Sequence, residues 1–181
     1  MKTMNRVVLL AGIVVMASLA GGCDPGPFNV DVLLDERDTG LQDKIGAVQS
    51  IEVNLVGVSD TDLRRWEEVS MNSYWEPDNK MRTSAIKYVM RFGEGHPKKQ
   101  TLKVSDAIWK EWIKKRQANH LFVLAYLPWL QKDSPGDADP RRKILPLERG
   151  RWEWSAWGAL TIPVELRATG MTLLRQPNKK K

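Results

Sequence analysis

Cysteine is almost missing from this chain. Cys23 is the only one, so oxidation cannot bridge the fold internally even in an oxidising compartment, and the domain must rest on packing. Histidine is nearly as scarce. A two-His metal site would need His96 and His120 to converge with a carboxylate. One stands in a turn and the other at the entrance to an apolar run, so they read as a solvated turn residue and a strand-end residue. Also absent are a Gly-x-Ser-x-Gly elbow, a His-Glu-x-x-His pair and a phosphate-cradling Gly loop, so none of these motifs points to an enzyme, a cofactor or a small-molecule substrate. Long apolar runs are lacking too. The stretch from Val7 to Ala20 falls short of the about 20 residues that a spanning helix needs.

The charge balance is mild. There are 28 Lys and Arg against 22 Asp and Glu, a surplus that suits an anionic membrane surface or an acidic partner face. Nucleic acid is not the expected partner, because no Arg/Lys cluster interleaves with stacking aromatics. No internal repeat or low-complexity segment breaks the chain, and its length past Cys23 is that of one domain with one core.

Alternating residues predict a largely β fold. Phe28, Val30 and Val32 alternate with Asn29 and Asp31, and the charged run Asp35 to Asp38 with Gly40 ends that strand,. A second strand runs from Ser50 to Val58, with Ile51, Val53 and Leu55 on one face and Glu52 and Asn54 on the other. Ser59 and Asp60 cap a short helix to about Val69, and Met71 to Asp78 reads as a loop,. A third strand spans Ser84 to Phe92, with Ile86, Tyr88, Met90 and Phe92 inward. After a short extended piece, Thr101 to Val104, the clearest helix covers Asp106 to Gln117, with Ile108, Trp109, Trp112 and Ile113 on one stripe,. The run Leu121 to Leu127 is too short for an independent helix and predicts a central strand covered on both faces,. Further strands are expected at Ile144 to Leu147, where Pro146 marks an edge, at Arg151 to Trp154, at Ala159 to Arg167 and at Met171 to Leu174,. Seven or eight short strands with one or two short helices specify a two-sheet β-sandwich over 28–175, the longer helix lying across an end or edge. The tail, 176–181, is basic and expected to fray.

Two features outside the strand pattern bear on function. Asp133, Asp137 and Asp139 crowd into the loop Gln131 to Lys143. Calcium could use such oxygens, but the spacing fails the EF-hand pattern and no Glu closes it, so the loop reads as solvated and no metal is expected. Eight tryptophans are the other feature. Trp109, Trp112 and at least one of Trp152 and Trp154 are expected to fill the core. Trp152 and Trp154 share a strand face, which as an exposed platform could stack on glycan or peptidoglycan rings or on a partner protein. Trp75 and Trp129 stand in loops and are the first choice for exposed anchors of a protein contact.

The N-terminus supplies the most definite expectation. Lys2 and Arg6 precede the uncharged run, which ends in Ala20, Gly21, Gly22 and Cys23, the layout of a cleaved secretory signal peptide over 1–22. The small-Gly-Gly-Cys ending resembles the lipobox of bacterial lipoproteins. That resemblance implies that Cys23 is acylated and becomes the first mature residue, a covalent lipid replacing any cofactor. Several acyl chains would hold the domain to a membrane stably where one would not. The segment 23–27 is then a linker too short to carry the domain far from the bilayer.

The order of elements is also similar to that of the outer-membrane lipoprotein of type VI secretion systems, a transthyretin-like sandwich. The correspondences are the lipobox cysteine, IEVNLVGVS running into a helix with Trp66, YVMRFGEGHPKK with its Gly turn, the LFVLAYL strand and the closing LTIPVELRATGMTL hairpin. The resemblance implies a non-enzymatic protein of the cell envelope, lipid-anchored and facing the periplasm, that binds an inner-membrane partner. In one respect the chain departs from it: Asp24 follows the acylated cysteine, and in enterobacteria an Asp there tends to retain lipoproteins in the inner membrane.

Overall fold

A computed structural model describes residues 25–48, 50–152 and 160–177. Cys23, Trp154 and the second half of the strand expected at Arg151 to Trp154 lie outside the described residues, and its first half is no strand, since Arg151 closes a 3-10 turn, Arg149–Arg151. The chain forms eight strands: β1 (Asn29–Leu34), β2 (Ser50–Val58), β3 (Lys87–Gly93), β4 (Lys99–Leu102), β5 (His120–Ala125), β6 (Arg142–Pro146), β7 (Thr161–Arg167) and β8 (Gly170–Leu173). They make two four-stranded sheets, in the orders β4-β1-β7-β8 and β3-β2-β5-β6. This is the two-sheet sandwich that the alternation predicts. β1 and β7 run parallel, and the other neighbours are antiparallel.

The core fills the space between the sheets. Val30 and Val32 of β1, Ile51, Val53 and Leu55 of β2, Leu121 and Val123 of β5, and Ile162 and Val164 of β7 are all buried there. β5 is central, with every residue from Leu121 to Ala125 buried. One of its faces meets the inter-sheet core. Phe122 and Leu124 on the other meet a second apolar cluster with Val56, Val58, Met71 and Tyr74. That second cluster exists because the chain between β2 and β3 folds back over the outer face of its own sheet. It does so as α2 (Asp60–Glu68), α3 (Met71–Tyr74) and α4 (Lys80–Ser84), so the stretch expected as a loop at Met71 to Asp78 begins as a helical turn. Asn54 is consequently fully buried, its Nδ2 donating to the Tyr74 hydroxyl at 3.2 Å.

An unforeseen helix, α1 (Thr39–Val48), packs Leu41 and Ile45 into the main core. Asp38 does more than end β1. Its Oδ1 accepts the Leu41 amide at 3.1 Å and starts the helix, while Oδ2 accepts the Ala168 amide at 2.7 Å,.

The helix expected at Asp106 to Gln117 is widened into a π-helix over Lys110–Lys115 and ends at Gln117, whose φ is 54°. It closes one end of the sandwich. Trp112 lies directly on Gly57, where a Cβ would stand 2.4 Å from the indole Cγ. The Trp112 and Trp109 indoles donate to the carbonyls of Ile86 and Lys103 at 2.8 and 2.9 Å. The chain enters at this same end: the Gly26 amide donates to Leu147 O at 3.0 Å, and Pro25 forms a bridge with Glu148.

Candidate interaction surface

Two hydroxyl or amide caps set the geometry beyond β2. Ser70 Oγ accepts the Ser73 amide at 3.1 Å and Asn79 Oδ1 accepts the Arg82 amide at 3.0 Å, so two single-turn helices follow one another and the residues between them are fixed. Tyr74 points inward and is fully buried. Removal from water pushes its phenol up to about 12, although the hydrogen bond from Asn54 works the other way,. Trp75, next in sequence, turns outward. Its ring meets Tyr74 edge-on at 5.1 Å and Tyr126 at 5.3 Å, and the Arg82 guanidinium lies 5.0 Å over its face,.

Tyr126 follows directly on β5. Its amide donates to Glu52 O at 2.8 Å, yet its side chain is 37% exposed. Glu52 also accepts from Arg82 at 3.2 Å and from Arg91 at 3.3 Å, which orients the guanidinium that covers Trp75. Shallow cavities of about 320 Å³ and 250 Å³ flank the Trp75–Tyr126 pair. The larger is bounded by Met71, Asn72, Pro77, Pro128 and Gln131, and the smaller by Val48, Ser50 and the Glu52–Arg82 pair. An aromatic pair with a polar rim and a fixed cation is suited to a protein side chain or loop.

The loop 131–143, expected to be solvated, is built into the floor beneath this surface. Arg141 is 2% exposed and Asp139 fully buried. Arg141 donates to Asp139 at 2.8 and 3.0 Å, to Asp133 at 2.6 Å and to Asn72 Oδ1 at 2.6 Å. Asp133 further accepts from Ser70 Oγ at 2.6 Å and from the Asn72 amide at 3.1 Å. Burial alone would raise both carboxyls, but these hydrogen bonds and the Arg141 charge outweigh it and hold Asp133 and Asp139 below the usual carboxylate range. Asp137 goes the other way, raised mainly by burial. The neighbouring Arg142 is fully buried, and its guanidinium caps α2 through the carbonyls of Trp66, Glu67 and Val69. Of the three aspartates only Asp139 is buried, while Asp133 and Asp137 keep the exposure expected of the loop; Asp133 and Asp139 together hold Arg141, which bonds Asn72 in the turn that carries Trp75.

The expected tryptophan sites separate. Trp152 is 1% exposed, packs edge-on against Phe28 at 5.9 Å and donates to Pro146 O at 2.9 Å, so it is core and cannot present a stacking platform with Trp154. Trp129 is half-buried against the main core with its indole donating to Ala168 O at 2.7 Å, which makes it a structural clamp more than a free anchor. Trp75 stands between the two clefts beside Tyr126. Tyr126, Arg82 and Arg141 escaped the sequence reading. For Tyr126 there was a signal, a hydroxyl-bearing ring near the end of an otherwise wholly apolar run, two residues before Pro128.

Among the described residues, the remaining polar positions singled out in the sequence stand apart from one another. His120 Nε2 meets Asp60 Oδ1 at 2.9 Å, whereas His96 is exposed in the β3–β4 turn. Ser84 and Lys87 stand in a Ser-x-x-Lys spacing, but the Ser84 hydroxyl and the Lys87 ammonium each donate at 2.6 Å to separate carbonyls, those of Lys80 and Arg82. Among the described residues no group of three His, Cys, Asp or Glu side chains could hold a metal ion, and no helix there is long and apolar enough to cross a membrane.

No family model matches the chain, and no curated protein matches it either. Among solved structures, the C-terminal domain of the type VI secretion system protein TssM from EAEC aligns at 15% identity and a TM-score of 0.49, over 81% of this chain and 99% of that one. The type VI lipoprotein TssJ1 from Pseudomonas aeruginosa aligns at 12% identity and a TM-score of 0.43, over 84% and 99%. Lip from Serratia marcescens, a membrane-bound component of the type VI secretion system, aligns at 15% identity and a TM-score of 0.43, over 87% and 99%.

Proposed function

We propose that this chain is a non-enzymatic, lipid-anchored protein of the cell envelope that docks a second envelope protein through the Trp75–Tyr126 surface. The anchor is Cys23, acylated after removal of residues 1–22, and the sandwich faces the periplasm. The observation that carries the docking role is the exposed Tyr126 ring set on Trp75, with Arg82 and Glu52 fixed beside it. Most of the other aromatic side chains are spent on packing, whereas Tyr126 is exposed and rests on a half-buried Trp75. Its position adds support. Pro25 is tied near the start of β5 through Leu147, and Tyr126 stands past the other end of that strand, six residues or about 20 Å along,. A tether at Pro25 would therefore direct the aromatic surface away from the bilayer.

The test is co-purification of the full-length protein from crosslinked membranes. One envelope protein should be recovered in near-stoichiometric amount, and Trp75→Ala with Tyr126→Ala should lower that recovery at least tenfold while the protein still partitions with membranes. Cys23→Ser should release the protein from the membrane fraction. Undiminished recovery with the aromatic pair removed would overturn the docking role, and membrane retention of Cys23→Ser would overturn the anchor.

A further inference from the structure

The groove where the chain enters the domain holds features that packing does not require. A cavity of about 560 Å³ lies between Pro25–Pro27 and the segment Val104 to Lys114. Its apolar wall includes Pro25, Pro27, Ala107 and Ile113, and Lys110 and Lys114 stand on its rim. Lys103, Lys110, Lys114, Lys115 and Arg116 are exposed along this one segment, against Asp106 and Glu111. Lys115 is taken up by Glu111 at 2.7 Å, and Asp106 Oδ1 is turned to the Ile108 amide at 3.1 Å. Among the described residues, Lys103, Lys110 and Lys114 have no carboxylate partner.

Covalent geometry links this face to the anchor. Only two peptide units separate Cys23 from Pro25, a reach of at most about 7 Å. Pro25 and Gly26 are themselves tied to Glu148 and Leu147, and Phe28 is locked between Trp109 and Trp152 at 5.6 and 5.9 Å. The domain therefore has no slack with which to turn this end away from an acylated Cys23.

We infer that the groove between Pro25–Pro27 and the π-helix is a membrane-contact face, with Lys103, Lys110 and Lys114 on the phosphates of an anionic bilayer and Ile113 with the prolines at the headgroup level. The inference rests on the proposed anchoring through Cys23. Unpaired ammonium groups beside half-buried apolar side chains that line an open groove match a surface of anionic headgroups over hydrocarbon, and the contact fixes the orientation of the sandwich as well as its distance.

The test uses the full-length lipidated protein in vesicles of phosphatidylcholine with about 30% phosphatidylglycerol, whose anionic headgroups attract basic segments. With Cys23 acylated, a cysteine at Lys110→Cys, or at Glu94→Cys beyond the far end of β3, is the sole thiol for a fluorophore. Headgroup-attached nitroxide lipid should quench the label at position 110 at least threefold more than that at 94. Replacing phosphatidylglycerol by phosphatidylcholine, or adding Lys103→Glu and Lys114→Glu, should bring the two within a factor of about 1.5. Equal quenching at 110 and 94 in anionic vesicles overturns the inference, as does quenching at 110 that ignores lipid charge. Shielding of 110 that grows with protein concentration in detergent would assign the groove to a second copy and also overturns it. Flotation and the mass of the N-terminal peptide are read on the same sample. An unacylated protein that fails to float refutes the anchoring itself, whereas a floating acylated protein with equal quenching refutes only the contact face.

Discussion

At the scale of single residues, the least replaceable side chain outside the apolar core is Arg141. Its buried guanidinium pairs with the buried Asp139 and with Asp133, whose side chain is 33% exposed, and removing one member of a buried ion pair strands the other at a cost of about 3–5 kcal/mol. Arg141→Ala should therefore lose about that much stability in chemical denaturation. The same group sets a pH response. Asp133 and Asp139 have folded pKa values held below their ordinary ones, so the stability they contribute is complete above about pH 4, the unfolded carboxylate value, and disappears as pH falls through the lower folded values. Asp139→Asn should flatten the decline of stability below about pH 4, measured by denaturant midpoints across an acid series. Asp137 has the opposite sign: its pKa is raised, so its ionised form costs stability at neutral pH. Asp137→Asn keeps an oxygen for the Ile144 amide and should leave neutral-pH stability equal or slightly higher, which the same titration reports. Sequence proximity alone marked these aspartates as a cluster. It could not reveal Arg141 as their occupant, because arginine in a polar Pro/Gly loop is ordinarily solvated.

At the scale of elements, most strands and the helix α2 were legible, and α1 and the single-turn helices were not. β2 falls at the predicted bounds because nine residues of alternation carry their own signal, and β5 was recognisable as a covered central strand from unbroken apolarity. α1 was missed since Gly40 and Gly46 dilute its helical pattern to two core residues, Leu41 and Ile45. α3 and α4 are single turns whose stability comes from caps and from the sheet face beneath them, not from periodicity. The π-helix could be foreseen as a helix but not as a widened one. Its geometry answers to the fit of Trp112 on Gly57, a contact between distant parts of the sequence. Gly57→Ala would place a methyl group 2.4 Å from the indole. It should cost about 1–3 kcal/mol by overpacking, read as a lowered thermal midpoint with altered tryptophan fluorescence.

At the scale of the molecule, the sandwich has two dissimilar ends. One receives the chain at Pro25 and carries the lysines of the π-helix; the other carries Trp75 and Tyr126, with Arg141 and its carboxylates bracing them from below. The fold class was available from alternation and turn residues. Of the candidate surface, only Trp75 was, because exposure of an aromatic depends on what the tertiary fold leaves uncovered. Trp152, equally suggestive in sequence, is consumed by the core next to Phe28. The polarity of the molecule, tether at one end and aromatic surface at the other, is the central claim, and in-cell crosslinking from defined positions tests it most directly. A photoreactive amino acid at position 126 of the full-length protein should yield one discrete adduct with another envelope protein, reduced at least tenfold by Trp75→Ala, while the same group at exposed Arg64 on α2 yields none. Equal adducts from positions 126 and 64, or an adduct at 126 that survives Trp75→Ala undiminished, would contradict it.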